Sequence, residues 1–75
     1  MSSETLDLRG LQCPLPLLRA ERRMRTLSRG QELVILATDP RFAEDMPGAC
    51  DRLGARMVGL TEHEGIWTCV VAAGL

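Results

Sequence analysis

At 75 residues the chain can build one thin hydrophobic core, and residues 1–75 are expected to form a single domain. Hydrophobic residues make up 45% and charged residues 25%, with a formal net charge of -1, a balance that argues against a broad nucleic-acid surface. All nine cationic side chains are arginine, which excludes a Schiff-base lysine and a phosphate-loop lysine.

Thr5 to Leu8 can form a short first strand that leads through Gly10 into a turn holding Cys13. From Pro14 the pattern becomes helical, with Leu17, Ala20, Met24 and Leu27 on one apolar stripe and Arg19, Glu21, Arg22, Arg23 and Arg25 on the remaining surface. Gly30 is the expected stop. Leu33-Val34-Ile35-Leu36-Ala37 is short, continuous and apolar, as a central strand is. Thr38-Asp39-Pro40 breaks it and supplies cap residues for a second helix. Phe42, Met46, Ala49, Cys50 and Leu53 recur at helical spacing, but Pro47 interrupts them at a cost of about 3 kcal/mol if it is interior. The expected solution starts the main helix near Asp45, leaving Pro40 to Glu44 as a lead-in turn and Gly54 as the end. Ala55 to Thr61 and Ile66 to Ala72 flank Glu62-His63-Glu64-Gly65 as a hairpin.

The order strand, helix, strand, helix, strand, strand implies an α+β fold. It is a two-layer α/β sandwich in which a mixed four-stranded sheet carries both helices on one face. Val34, Leu36, Trp67 and Val71 cannot all point inward by period-two alternation, so an apolar patch suited to a partner is expected on the open face.

Three cysteines at irregular spacing, without a secretory segment, fit a reducing compartment. Met1 to Thr5 has no basic start, and the longest apolar run is far short of a membrane span. A cytoplasmic location without membrane contact is expected. Cys50 lies on the stripe of the second helix and reads as packing. Cys69 alternates with Trp67 and Val71 and is expected on the open face. His63 reads as a turn residue. No pair among these groups has zinc-finger spacing, so neither a metal nor a cofactor is expected.

Cys13 stands apart because Pro14 suits the first position of a helix, making the cysteine its N-cap. A thiolate there would feel the positive end of the helix dipole, worth roughly 0.3 to 1 kcal/mol. Pro14 and Pro16 remove two amides that a helix start offers to anions, so further activation is expected from a neighbour such as Arg9. Position 16 is proline where a disulfide oxidoreductase would carry its second cysteine. No histidine lies near the motif in sequence to make a cysteine hydrolase. A sulfur adduct on Cys13 would therefore survive, because no motif neighbour attacks it.

Asp7-Leu8-Arg9-Gly10-Leu11-Gln12-Cys13-Pro14-Leu15-Pro16 resembles the D-x-x-G-x-x-C-P-x-P signature of the TusA/SirA-like sulfur-carrier family. The resemblance continues at Gly30-Gln31-Glu32-Leu33, Thr38-Asp39-Pro40 and Asp45-Met46-Pro47-Gly48-Ala49-Cys50, and spans about Leu6 to Gly74. It implies a carrier that acts with partner enzymes. Cys13 would hold sulfane sulfur as a persulfide, framed by Pro14 and Pro16, with Asp7 and Gly10 in the turn before it. The donor would be a cysteine desulfurase or a rhodanese, and the acceptor a sulfur-relay protein serving tRNA thiolation, sulfur oxidation or cofactor assembly. Arg19 matches a basic position of many relatives. Arg9, Arg22 and Arg23 are further candidates for meeting acidic partner surfaces.

Two other readings compete. One is a non-catalytic interaction or regulatory domain that uses the open sheet face, with Cys13 structural. The other is RNA binding, from a resemblance of the expected fold to the C-terminal half of translation initiation factor 3. A 3% aromatic content and balanced charge leave that last reading without stacking platforms or a basic groove.

Overall fold

The computed structural model describes residues 3–74. Met1, Ser2 and Leu75, and with them part of the leader reading, lie outside the described residues. Six elements follow one another: β1 (Ser3–Leu8), α1 (Leu15–Met24), β2 (Glu32–Ala37), α2 (Pro40–Leu53), β3 (Arg56–His63) and β4 (Ile66–Ala72). The sheet order is β1-β2-β4-β3, with β1 and β2 parallel and β4 antiparallel to both its neighbours. The expected α+β sandwich with a mixed four-stranded sheet is the one observed. Among the described residues no helix is long and apolar enough to cross a membrane.

Register explains which side chains make the core. Leu33, Ile35 and Ala37 of β2 are buried toward the helices, where α1 supplies Ala20 and Met24 and α2 supplies Phe42, Met46, Ala49 and Cys50. On β4, Val71 lies opposite Leu33 and Cys69 opposite Ile35, so both share that buried face. Cys69 is therefore not on the open face: it is fully buried. Trp67, opposite Ala37, also points to the helix side, leaving Val34, Leu36 and Val70 half-buried on the open face. The expected apolar patch thus lacks its largest member, and among the described residues the large exposed apolar side chains are Leu15, Leu18 and Val58.

Pro47 sits inside α2, which runs unbroken from Pro40 rather than starting near Asp45. The helix keeps Phe42 and Ala43 buried, and Asp39 caps its start by accepting the Arg41 N–H at 3.0 Å. Pro40 occupies the first turn, where its missing N–H leaves no bond unmade. Those gains outweigh the one bond lost at Pro47, whose ring is exposed. Helix α1 ends at Met24, well before Gly30. Thr26 closes it by donating its hydroxyl to the Arg23 carbonyl at 2.9 Å.

Glu21, expected on the exposed surface, is buried between the helices and paired with Arg52 of α2, with Arg25 3.9 Å away. A buried carboxylate is tolerated because the ion pair crosses the interface between α1 and α2. Arg23 leaves the exposed set in a similar way, donating to Glu4 of β1 at 2.7 Å.

The β3–β4 connection is tighter than the sequence suggests. His63 pairs with Ile66, leaving Glu64 and Gly65 as the two turn residues, both at positive φ. This is the backbone of a type I′ turn, which favours Asn-Gly and Gly-Gly because other side chains crowd the left-handed region. Glu64→Asn should raise stability by up to about 1 kcal/mol, read as a shift of the urea midpoint at unchanged slope.

Candidate functional site

The site lies beyond the carboxyl ends of the parallel pair β1 and β2, where two loops meet. The first leaves β1 at Leu8 and turns on Gly10, whose φ of +84° suits a residue without Cβ. The second leaves β2 at Ala37 and enters α2. They are stitched together by two bonds: the Gly10 N–H donates to the Thr38 hydroxyl at 2.9 Å, and the Cys13 N–H donates to Asp39 Oδ2 at 2.5 Å. Asp39 thus uses both oxygens, one for the cap of α2 and one for the cysteine loop.

Cys13 is exposed and is not the N-cap of α1. The helix begins at Leu15 with Pro14 as its cap residue, after a cis Cys13–Pro14 peptide. The Leu15 N–H donates to the Gln12 carbonyl at 2.9 Å, so Cys13 sits inside a turn that precedes the helix. Pro14 and Pro16 have no N–H, the Leu15 N–H serves that turn, and the Cys13 N–H is taken by Asp39. These four residues leave no amide for an anion, as the sequence suggests. The loops instead display the sulfur.

Two hollows meet at the thiol. A shallow depression of about 520 Å3 is lined by Gly10, Leu11, Gln12, Cys13, Thr38, Asp39, Pro40 and Arg41. A narrow crevice joins Cys13, Pro14, Pro16 and Leu17 to Asp39, Phe42 and Asp45. Gly10, Pro14 and Pro16 are therefore brought together around Cys13. Asp7 and Arg9 line neither hollow. Arg9 donates through Nε and a terminal nitrogen to the two Asp7 oxygens, both at 2.8 Å, and its backbone N–H adds a third bond. Those bonds lower the Asp7 carboxyl from 3.8 to about 2, the side-chain bonds from Arg9 acting most strongly. A lowered carboxyl stabilises the fold above its unfolded value, so this clamp holds at neutral pH and lets go only as pH falls toward 2.

Arg19, Arg22 and Arg23 gather elsewhere, around a depression on α1 shared with Leu6 and Thr26. His63 is exposed on β3, the opposite edge strand from β1, and lines neither hollow at Cys13. Cys50 and Cys69 are buried among core side chains. Burial pushes the Cys69 thiol up to about 12, with Cys50 adding to the effect, and raises Cys50 in the same direction. Both stay protonated and unreactive at neutral pH. Among the described residues no three potential metal ligands cluster.

The sequence gives Asp39 only a capping role and singles out nothing at Arg41, whereas the structure places both in the lining of the depression at Cys13. The signal for Asp39 was present in Thr38-Asp39-Pro40, which reads as a helix start but says nothing of which loop the second oxygen reaches. Asp39→Ala should cost about 1 to 2 kcal/mol through the lost cap, with Asp39→Asn retaining most of the stability. Denaturant midpoints of the two variants check this.

Several known proteins are similar to this chain. The family model described as sulfurtransferase TusA matches residues 4–73. A Neisseria meningitidis serogroup A protein, provisionally designated a sulfur carrier, is 41% identical over 71 residues, covering 95% of this chain and 96% of its own. The sulfur carrier protein TusA of Pseudomonas entomophila is 38% identical over 63 residues, 84% of this chain and 79% of its own. The crystal structure of a SirA-like protein from Desulfitobacterium hafniense superposes with a TM-score of 0.82 at 22% identity, covering 96% of this chain and 99% of that one, and so shares the fold. With a matching model that spans nearly every residue, the chain belongs to the TusA family of sulfurtransferases.

Proposed function

We propose that this protein is a sulfur carrier, a single domain that accepts sulfane sulfur as a persulfide on Cys13 and yields it to a partner protein. One observation carries the reading: the exposed thiol of this chain has neither a histidine base nor a second cysteine beside it, in a member of this family. The Cys13 thiolate attacks the outer sulfur of a donor persulfide. A new S–S bond forms as the donor's S–S bond breaks, and the donor cysteine leaves as thiolate. Delivery repeats the exchange with Cys13 as the leaving group. Sulfur changes hands without net oxidation.

Partners supply what the site lacks. A cysteine desulfurase or a rhodanese in the cytoplasm suits the donor role, and a relay protein the acceptor role, with tRNA thiolation, sulfur oxidation or cofactor assembly downstream. The approach surface is the outer face of α1 next to the thiol. There Leu15 and Leu18 are about half exposed, at 46% and 54%, and the exposed Arg19 and Arg22 follow at helical spacing. Arg9 and Arg23 contribute less, being engaged with Asp7 and Glu4. Apolar contact next to the sulfur with positive charge behind it fits an acidic-rimmed partner site.

The reading is tested by intact mass after incubation with a cysteine desulfurase and cysteine, and separately with a rhodanese and thiosulfate. A gain of one sulfur atom that a reductant removes is expected from at least one donor. No gain from either would favour the interaction-domain reading.

A further inference from the structure

We infer that Arg41 is the cation that holds the negative charge of the reacting sulfur at Cys13. The inference rests on the carrier reading for its purpose, but on local geometry for its substance. Every step of sulfane transfer places an anion at this site: the attacking thiolate, the persulfide's outer sulfur when ionised, and the departing thiolate during delivery. Water alone would solvate that charge in a free carrier. In a docked complex water is displaced, and a fixed cation becomes more effective.

The four residues from Cys13 to Pro16 offer no free amide to such an anion. Pro14 and Pro16 have no N–H, the Leu15 N–H closes the Gln12 turn and the Cys13 N–H binds Asp39. The nearby carboxylates oppose an anion, since Asp39 lines both hollows at the sulfur and Asp45 lines the crevice. Arg9 is clamped to Asp7, and Arg19, Arg22 and Arg23 border a separate depression. Arg41 is the cationic residue lining the depression with Cys13. Its backbone is fixed, because its N–H donates to Asp39 Oδ1 while Asp39 Oδ2 binds the Cys13 N–H. One carboxylate therefore ties the residue bearing the cation and the residue bearing the sulfur to a common point. Among the described residues the Arg41 guanidinium has no ion pair of its own, so no carboxylate competes for it in that depression.

A cation lining the same depression as the thiol should distinguish electrophiles of equal size and different charge. Cys13 in the folded protein is alkylated with iodoacetate and with iodoacetamide, and the ratio of the two rates is compared for wild type, Arg41→Gln, Arg41→Lys and Arg56→Gln, the last an exposed arginine on the far edge strand β3. Arg41→Gln should lower the iodoacetate preference about threefold, the size expected for a single charge acting through a water-like dielectric. Arg41→Lys should restore it, Arg56→Gln should leave it near the wild-type value, and salt should erode it. An unchanged ratio in Arg41→Gln would overturn the inference. An equal fall in Arg56→Gln would do so too, because it would mean that net charge alone is being read. Sulfur loading from sodium polysulfide, followed by intact mass, separates this inference from the carrier reading: an absent adduct counts against the carrier reading while the alkylation ratio still judges Arg41.

Discussion

Cys13→Ser is expected to abolish sulfur loading while leaving the thermal melt within the equivalent of about 0.5 kcal/mol of wild type, since the side chain is exposed. The loss should be complete rather than partial, because a serine hydroxyl is not ionised at neutral pH and cannot hold sulfur as a labile S–S bond. Cys50→Ala and Cys69→Ala provide the contrast. Each removes a buried thiol, so each should lower stability while the folded fraction still loads one sulfur atom. Intact mass and the melt together make the separation. Sulfur retained by Cys13→Ser and lost in a core variant would move the chemistry to the buried pair and sink the carrier site.

Phe42→Ala should be among the most destabilising single substitutions, at about 3 to 5 kcal/mol. The ring is 2% exposed, belongs to the core, and also floors the crevice beside Cys13 and Pro16. A domain of this size has a total stability on the order of 4 to 11 kcal/mol, so the substitution removes a large share of it. At about 4 to 8 °C per kcal/mol, the melting temperature should fall by at least about 12 °C. Phe42→Leu keeps most of the volume and should lose far less. If Phe42→Ala melted like wild type, α2 would not be anchored through its first turns, and the account of why Pro47 is tolerated would fail.

Pro47 is also where the sequence was hardest to read. The stripe Phe42, Met46, Ala49, Cys50 and Leu53 already described one continuous helix, but the local cost of an interior proline pointed to a later start. Burial of Phe42 and Ala43 and the Asp39 cap decide the matter, and both depend on contacts across the chain. The element order, the central placing of β2 and the two-layer arrangement were legible because apolar periodicity carries them directly. The face of Cys69 was not. Alternation fixes which residues of a strand share a side, but only the register of β4 against Leu33 and Ile35 fixes which side is covered. At the site, the motif Gly10 to Pro16 announced a sulfur set between a glycine and two prolines. The N-cap reading failed because local pattern could not show a turn closing at Leu15 before the helix begins. Arg41 was invisible for a related reason: it lies 28 positions from Cys13 in sequence, and the approach of the two loops through Asp39 creates the proximity.

The burial of Cys50 and Cys69 gives the molecule a fixed stoichiometry. A thiol-counting reagent applied to the folded protein should register one equivalent per chain, and three once the chain is unfolded. The same arithmetic makes a maleimide dye a single-site label without mutagenesis, placed where a partner would dock. On the proposed carrier role it would also keep the cargo intact, since a sulfur atom held on Cys13 would meet no second thiol of its own molecule that could divert it into an internal disulfide.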